Sequence, residues 1–542
     1  MPGLHSDQRF RHRLRRHDIR RPILRCEIGD RMSDRDGGPR WFGGDLLSTV
    51  DASGSGQERL EPDGDVREID VRLVDTFDGA LAGAGRLLLV AGRDLLLFGD
   101  SQGPIVQVTA APGFVAEMEE GPVRDALLPI VSPLRRLVEI GTARMILQRI
   151  FLLDEIEKTM ARGEAAVLAT SPDRTISLLR MEALRGYARP LERALAGLDA
   201  AEGVERLSAG AAIATLAPQG AAYDAKPALD LPDDARAFRA ANAIIRAHLD
   251  VARQNETGIA ENTDSEFLHD YRVALRKVRS VVSLFRGVYA PETAVELKAR
   301  FGALMARTGR LRDLDVYIIE RDAYLGLVPP QLRPGLALLF EDFEAERADE
   351  HRALAGHLRS KAYRREIKAL TRLFEKPGKR LGKGDAAGQR ARDLAQRLIW
   401  ARYRKICAIA GAIDAATPDA EVHRLRIHCK KLRYLMEFFA PFFPADKIDP
   451  LVRSLKKLQD TLGTFNDCAV QQAALSGKLR ELEGAHDAHR LDIATSLGAL
   501  LSVLDQRQRK ARNRVVASFS AFDAKTTRSG FRDLFKAARA AA

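Results

Sequence analysis

Two stretches of the chain place histidine, arginine and lysine at spacings that a helix gathers onto one face. They read HDYRVALRKVRSVVSLF over residues 269–285 and HRLRIHCKKLRYLMEFF over residues 423–439. With each residue advancing by about 100°, Arg272, Arg276 and Arg279 fall within roughly 80° of His269 on one side. Val278, Val281, Val282 and Phe285 lie opposite. His423, Arg426, Lys430 and Arg433 repeat the basic stripe, and Leu432, Leu435, Met436 and Phe439 repeat the apolar one. Both segments are amphipathic helices with a cationic side. Lys277 and Lys431 belong to the same pattern, and Lys456 and Lys457 stand just ahead of a later block, LQDTLGTFND.

Dense cations of this kind suit a polyanion. Arginine offers forked donors to phosphate oxygens, and lysine offers a mobile point charge. A basic helix face is ordinarily only solvated surface, with acidic partners four residues away. Residues 272–286 instead hold five Arg or Lys and no Asp or Glu. Like charges crowded on one helix cost on the order of 0.3 kcal/mol per i,i+4 pair, and an anionic ligand relieves that repulsion. The paired histidines read more simply as hydrogen-bonded packing residues that add partial charge near neutral pH. His428 stands five residues from His423, a poor alignment for a shared metal, so no metal and no cofactor is expected.

The two stretches are one pattern seen twice, at a constant offset of 154 residues. His269 matches His423, Arg272 Arg426, Lys277 Lys431, Arg279 Arg433 and Phe285 Phe439. Leu297 matches Leu451, Leu304 Leu458, Gly309 Gly463, Asp313 Asp467 and Val316 Val470, and Lys430 replaces Arg276 with the charge kept. No gap is needed, which marks a duplicated helical module. From residue 233 onward apolar residues recur at three and four spacing and prolines fall at element ends. The halves, about 233–375 and 390–535, flank a polar, Gly-rich break at 376–388. Upstream, the runs EIDVRLVD, GRLLLVAG and RDLLLFGD are bounded by Gly and Asp, which predicts strands joined by tight turns. With a helix over 187–198 this is an α+β domain with an antiparallel sheet. The stretches 40–64 and 209–232, rich in Gly, Ser, Asp, Ala and Pro, read as linkers. The expected division is a flexible extension at 1–65, a sheet domain at 66–200, a linker at 201–232 and a helical region at 233–535.

Charge follows this division. The formal net charge of +12 resolves into zero for residues 1–65, −5 for 66–232 and +17 for 233–542. The excess lies in the helical region, which fits an anionic partner there. Cys26, Cys407, Cys429 and Cys468 form no CxxC pair and are too few for a disulfide framework, so reduced thiols in the cytoplasm are expected. No apolar stretch approaches the roughly 20 residues a membrane span needs. Residues 9–25 are Arg-rich without the apolar core of a signal peptide.

The duplicated segments, with RTGRLRDLDV in the first copy and LKKLQDTLGTFNDCAV in the second, resemble the two halves of a CHAD domain, a conserved-histidine α-helical domain, over roughly residues 233–535. The resemblance implies two antiparallel helical bundles related by a pseudo-twofold, a basic surface and channel, and binding of inorganic polyphosphate, including at polyphosphate granules. Its matching positions here are His269, Arg272, Arg276, Lys277, Arg279, His423, Arg426, Lys430, Lys431 and Arg433, with Lys456 and Lys457 adding to the same surface. Nucleic acid is the alternative polyanion. Against it, the basic helices lack interleaved exposed aromatics for base stacking, Tyr271 and Tyr434 being the candidates.

The segment VRLVDTFDGALAGAGRLLLV resembles the second strand, turn and third strand of a CYTH domain, a family of metal-dependent triphosphate tunnel enzymes with an ExExK strand and tunnel-lining cations. Here no ExExK occurs. Glu68, Asp70 and Arg72 in EIDVR are the nearest approximation, and Leu87, Leu88 and Leu89 stand where the family places cations. Metal-assisted phosphoryl chemistry without carboxylates and cationic clamps lacks its essential parts. The expectation is a degenerate CYTH-like module without enzyme activity, with an inorganic triphosphatase as the alternative.

Overall fold

The computed structural model describes residues 39–52, 58–99, 104–108, 113–201, 203–216, 223–378, 380–414, 416–483 and 489–536. The chain forms two units, Met1–Tyr223 and Asp224–Ala542.

The first unit is a nine-stranded antiparallel sheet: β1 (Arg40–Gly43), β2 (Glu58–Thr76), β3 (Leu87–Ala91), β4 (Asp94–Phe98), β5 (Ile105–Val108), β6 (Leu137–Asp154), β7 (Thr159–Ser171), β8 (Arg174–Ala183) and β9 (Glu205–Leu207), in the order β5-β4-β3-β2-β6-β7-β8-β1-β9. Its helices are α1 (Leu46–Ala52), α2 (Ala80–Gly83), α3 (Pro122–Leu127), α4 (Ala188–Asp199) and α5 (Ala209–Leu216). Period-two alternation along β2 puts Ile69, Val71 and Leu73 on one core-facing side. The sheet curls: Trp41 on β1 meets Phe98 on β4 edge to face at 6.2 Å, although five strands separate them in the sheet order. β3 and β4 read as unbroken apolar runs because both of their faces are covered. Leu87, Leu89, Leu96 and Phe98 fill the concave side. Leu88, Val90, Leu95 and Leu97 pack with Leu81 of α2 and with Val123 and Leu127 of α3. The DTFDG turn is held by the buried Asp75 carboxylate, which accepts from the Leu81 and Ala82 amides at 2.9 and 3.0 Å.

This corrects both predicted linkers. Within 40–64, β1 pairs with β8 and β9, Trp41 and Phe42 are 3% and 0% exposed, and β2 begins at Glu58. Within 201–232, β9 closes the sheet edge and α5 buries Ala209, Ala212, Ile213 and Leu216 against the concave core. Composition misled because a few large apolar residues among Gly and Asp suffice for an inner strand. Alanine, read as loose, is what fits a helix close against a sheet. The sheet unit therefore reaches from Arg40 to Leu216, not from 66 to 200. The extension predicted at the start of the chain lies, up to residue 38, outside the described residues.

The second unit is helical: α6 (Ala237–Gln254), α7 (Glu256–Glu261), α8 (Ser265–Leu284), α9 (Pro291–Ala306), α10 (Gly309–Ile319), α11 (Arg321–Leu325), α12 (Arg333–Leu358), α13 (Lys361–Glu375), α14 (Ala391–Gly411), α15 (Asp419–Phe439), α16 (Ala445–Glu483), α17 (Arg490–Phe522) and α18 (Lys525–Phe535). The offset of 154 carries α6 onto α14 and α8 onto α15, and α16 covers the span of α9 and α10 together. Equivalent residues meet each other, which places a pseudo-twofold axis between the halves. The Ala237 amide donates to Gln389 O and the Ala391 amide to Ala235 O, both at 2.8 Å, a reciprocal pair at that same offset. Phe285 and Phe439 stack at 4.5 Å with planes 14° apart. The Gly-rich break is not free either. Gly384 and Ala386 donate to Val288 O and Gly287 O at 3.0 and 2.7 Å, and a Cβ on Gly384 would lie 2.4 Å from the Gly287 carbonyl oxygen.

Candidate functional site

α8 and α15 are built alike. Asp264 caps α8, accepting from the Glu266 and Phe267 amides at 3.0 and 3.3 Å. Leu275, Val278, Val281 and Val282 on α8 are buried, as are Leu432, Leu435, Met436 and Phe439 on α15. Burial of these faces commits the basic stripes to the other side. There the two helices bring Arg272 and Arg276 from α8 together with Arg426, Lys430 and Arg433 from α15. Arg276 and Lys430, equivalent positions of the two copies, lie within reach of each other's charge.

Carboxylates from neighbouring helices partly answer these cations, which the sequence of each basic helix alone does not show. Arg426 Nη2 pairs with Asp467 of α16 at 3.3 Å. Asp313, the equivalent residue on α10, faces Arg272. Arg433 approaches Glu437 on its own helix at 3.3 Å. Arg272 Nη1 also donates to Thr308 Oγ1 at 2.5 Å, where the chain breaks between α9 and α10. The equivalent of Thr308 is Leu462, and α16 runs on without a break.

The compensation is incomplete. Arg276 Nε, Arg426 Nε and Arg312 Nη1 are buried without a hydrogen-bond partner, and a buried donor left unpaired costs about 1–3 kcal/mol. Burial, with the Arg426, Arg276 and Arg433 charges and against Asp467, pushes the Lys430 ammonium down to about 8. Burial and the neighbouring Arg276 and Arg312 lower Arg272 as well, with Asp313 opposing. Lys277 is lowered by burial first, then by Lys226 and Arg433, while Glu437 and Asp224 pull it back. The free seam is a site of frustrated positive charge.

Arg279 is exposed and reaches the Met305 sulfur at 3.6 Å. His423 Nδ1 meets Asn466 Oδ1 at 2.6 Å; that oxygen can only accept, so Nδ1 is the donor in this bond. His269 is half-buried on the first copy. Lys431 faces away from the seam, toward Arg286, Arg402 and Lys405. Lys456 and Lys457 are exposed on α16 without a hydrogen bond or ion pair to the seam among the described residues. Arg312 is the seam residue that helical spacing on α8 and α15 does not find. It sits in RTGRLRDLDV and is the equivalent of Asn466. Tyr271 is buried with its hydroxyl 3.1 Å from that of Tyr363, and Tyr434 is buried against Phe438, so neither offers a face to a base. Among the described residues no group of three or more His, Cys, Asp or Glu is placed to hold a metal.

On the sheet unit Glu68 and Asp70 are exposed and alternate with the inward Ile69 and Val71. Glu68 and Arg72 make cross-strand pairs with Arg144 at 3.7 Å and Glu139 at 3.6 Å. Apolar side chains fill much of the concave side. Glu164 on β7 is raised by burial, with Arg67, Arg180 and Arg149 pulling it back.

A duplicated helical bundle whose equivalent basic helices meet at a pseudo-twofold seam defines the architecture of the second unit. Residues 243–476 match the CHAD domain family, and the chain carries a CHAD domain. The first unit is an antiparallel sheet domain consistent with a CYTH-like fold. Among solved structures, the CHAD domain from the plant Ricinus communis is similar at 24% identity over 56% of this chain and 98% of that one, with a TM-score of 0.45. PptA from Streptomyces chartreusis is similar at 14% identity over 53% of this chain and 100% of that one, with a TM-score of 0.42. Comparison with the curated proteins returns no match. Among the described residues no helix is long and apolar enough to cross a membrane.

Proposed function

We propose that this protein binds inorganic polyphosphate along the seam between α8 and α15 and does so without catalysing a reaction on it. The observation that carries the reading is the seam itself: converging Arg and Lys side chains, buried guanidinium nitrogens without partners and a lysine depressed to about 8. Such a site is relieved by a ligand bringing negative charge and many acceptor oxygens. CHAD domains are a family linked to polyphosphate binding. A linear polyphosphate carries about one charge per phosphate and needs closely spaced cations rather than an enclosed pocket. The burial of Tyr271 and Tyr434 favours it over single-stranded RNA, whose recognition rests on stacking. In this reading the sheet unit is a scaffold or interaction module, supported by the outward position of Glu68 and Asp70, and the protein works in the cytoplasm at polyphosphate granules.

The test is a competition. Labelled long-chain polyphosphate bound to the full chain should be displaced by unlabelled polyphosphate far better than by heparin or single-stranded RNA of equal total charge. Equal displacement by all three reduces the seam to a general cation patch.

A further inference from the structure

α15 carries cations on a second side, and there the two copies are not alike. Arg402 and Lys405 stand one turn apart on α14, which packs along α15, and Lys431 and Arg286 face them. Arg402 Nη1 donates to His428 Nδ1 at 2.8 Å. A guanidinium cannot accept, so the ring presents its lone pair there and keeps its proton on Nε2. His428 is buried, and burial together with Arg402, Lys405, Lys431 and Arg424 pushes it down to about 4. It therefore aims the Arg402 head without cancelling its charge. Arg286 and Lys405 are exposed, and none of Arg286, Arg402, Lys405 and Lys431 makes an ion pair with a carboxylate among the described residues. At the edge, Arg424 is held by Glu421 at 2.5 Å.

The offset of 154 shows that this cluster, with Arg286 from the first copy and the other three cations from the second, is not repeated at the symmetry-related position. Arg402 corresponds to His248, Lys405 to Val251, His428 to Ala274 and Arg286 to Ala440; of the set only Lys431 has a basic counterpart, Lys277. His248 is buried and held down to about 3 by burial and by Lys277. The symmetry-related position is used for packing, whereas this one leaves unpaired charge at the surface. Fold stability does not call for four cations there, since the symmetry-related position keeps only one, Lys277.

We propose that Arg286, Arg402, Lys405 and Lys431 form an auxiliary phosphate subsite beside the seam, one that engages a polyphosphate long enough to pass around α15 and is out of reach of a short one. This rests on the reading that the seam binds polyphosphate. The subsite makes the pseudo-symmetric module asymmetric toward its ligand and sets a preference for chain length.

The experiment titrates the full chain with tripolyphosphate and, separately, with long-chain polyphosphate. The exposed pair Arg286→Ala with Lys405→Ala should leave tripolyphosphate affinity within about twofold of the unaltered protein. It should weaken long-chain binding by roughly tenfold and lower the slope of log K against log salt by about 1.4, near 0.7 for each cation removed. Arg402→Gln, checked for an unchanged thermal midpoint, should show the same selective loss. Equal losses for both ligands, or no loss for the long chain while the unaltered protein binds both, overturn the subsite and leave the seam standing. Failure of the unaltered protein to bind either ligand overturns the seam and the subsite with it.

Discussion

Lys430 offers the sharpest handle on the seam. Its ammonium is pushed down to about 8 by burial and by the Arg426, Arg276 and Arg433 charges, with Asp467 opposing. A free lysine titrates near 10.4, so in the unliganded protein at pH 8 the site is charged about half the time. A polyanion favours the charged form and returns the pKa toward its free value. Binding at pH 8 should therefore take up about half a proton, and affinity should fall as pH rises through 8. If the pKa returns fully, the loss between pH 7 and pH 9 is about tenfold. Lys430 is only partly buried, and screening by water reduces this to about three- to tenfold. Titration calorimetry at pH 8, in buffers of different ionisation enthalpy, counts the protons directly. Lys430→Met should abolish the uptake, whereas Lys456→Met, on the exposed face of α16, should keep it. Uptake that persists in Lys430→Met, or affinity flat from pH 7 to 9, refutes the reasoning.

The same depression has a consequence for folding. Because the folded pKa lies below the unfolded one, the unfolded chain binds more protons between about pH 8 and 10.4, and stability should rise across that window. Lys430→Met should accordingly stabilise the free protein at pH 7 by about 1 kcal/mol after allowance for screening, read from urea denaturation. Charge reversal at Arg272, Arg276 and Arg279 should weaken long-chain polyphosphate binding by well over tenfold, while the same change at Arg507, Arg509 and Arg514 on α17 should cost less than about threefold, as expected of a solvated face. Phe285→Ala removes one ring of the stack across the pseudo-twofold and should destabilise the helical unit by about 3–5 kcal/mol in denaturant titration. Incubation with tripolyphosphate and Mg²⁺ or Mn²⁺ should release no phosphate above background. Turnover abolished by Glu68→Ala with Asp70→Ala would make the sheet unit an enzyme.

What could be read in advance divides along physical lines. The helical unit was legible because its pattern occurs twice. A residue such as Arg276 gains meaning when Lys430 stands 154 positions later, and the structure places those two across the axis from one another. Helical periodicity also separated the stripe from the face that buries Phe285 and Phe439. What sequence spacing could not supply was the set of partners from other helices. Asp467, Asp313 and Thr308 come from elements distant in the chain, and they turn a bare run of cations into a partly compensated site. Spacing groups Lys431 with the stripe, yet in the structure it looks the other way, toward α14. In the sheet unit composition was a poor guide: β1 and α5 both sit in stretches that read as linkers, because a strand of four residues and a helix of small ones carry little hydrophobic signal.

The most direct test of the account is the affinity of the full chain for long-chain polyphosphate measured across a salt series. With about ten cations engaged at the seam and beside it, log K should fall linearly with log salt with a slope near −7, and polyphosphate should remain the tighter ligand over heparin throughout. No measurable binding at low salt, or heparin bound equally well at every salt concentration, would contradict the claim that the seam is a polyphosphate site.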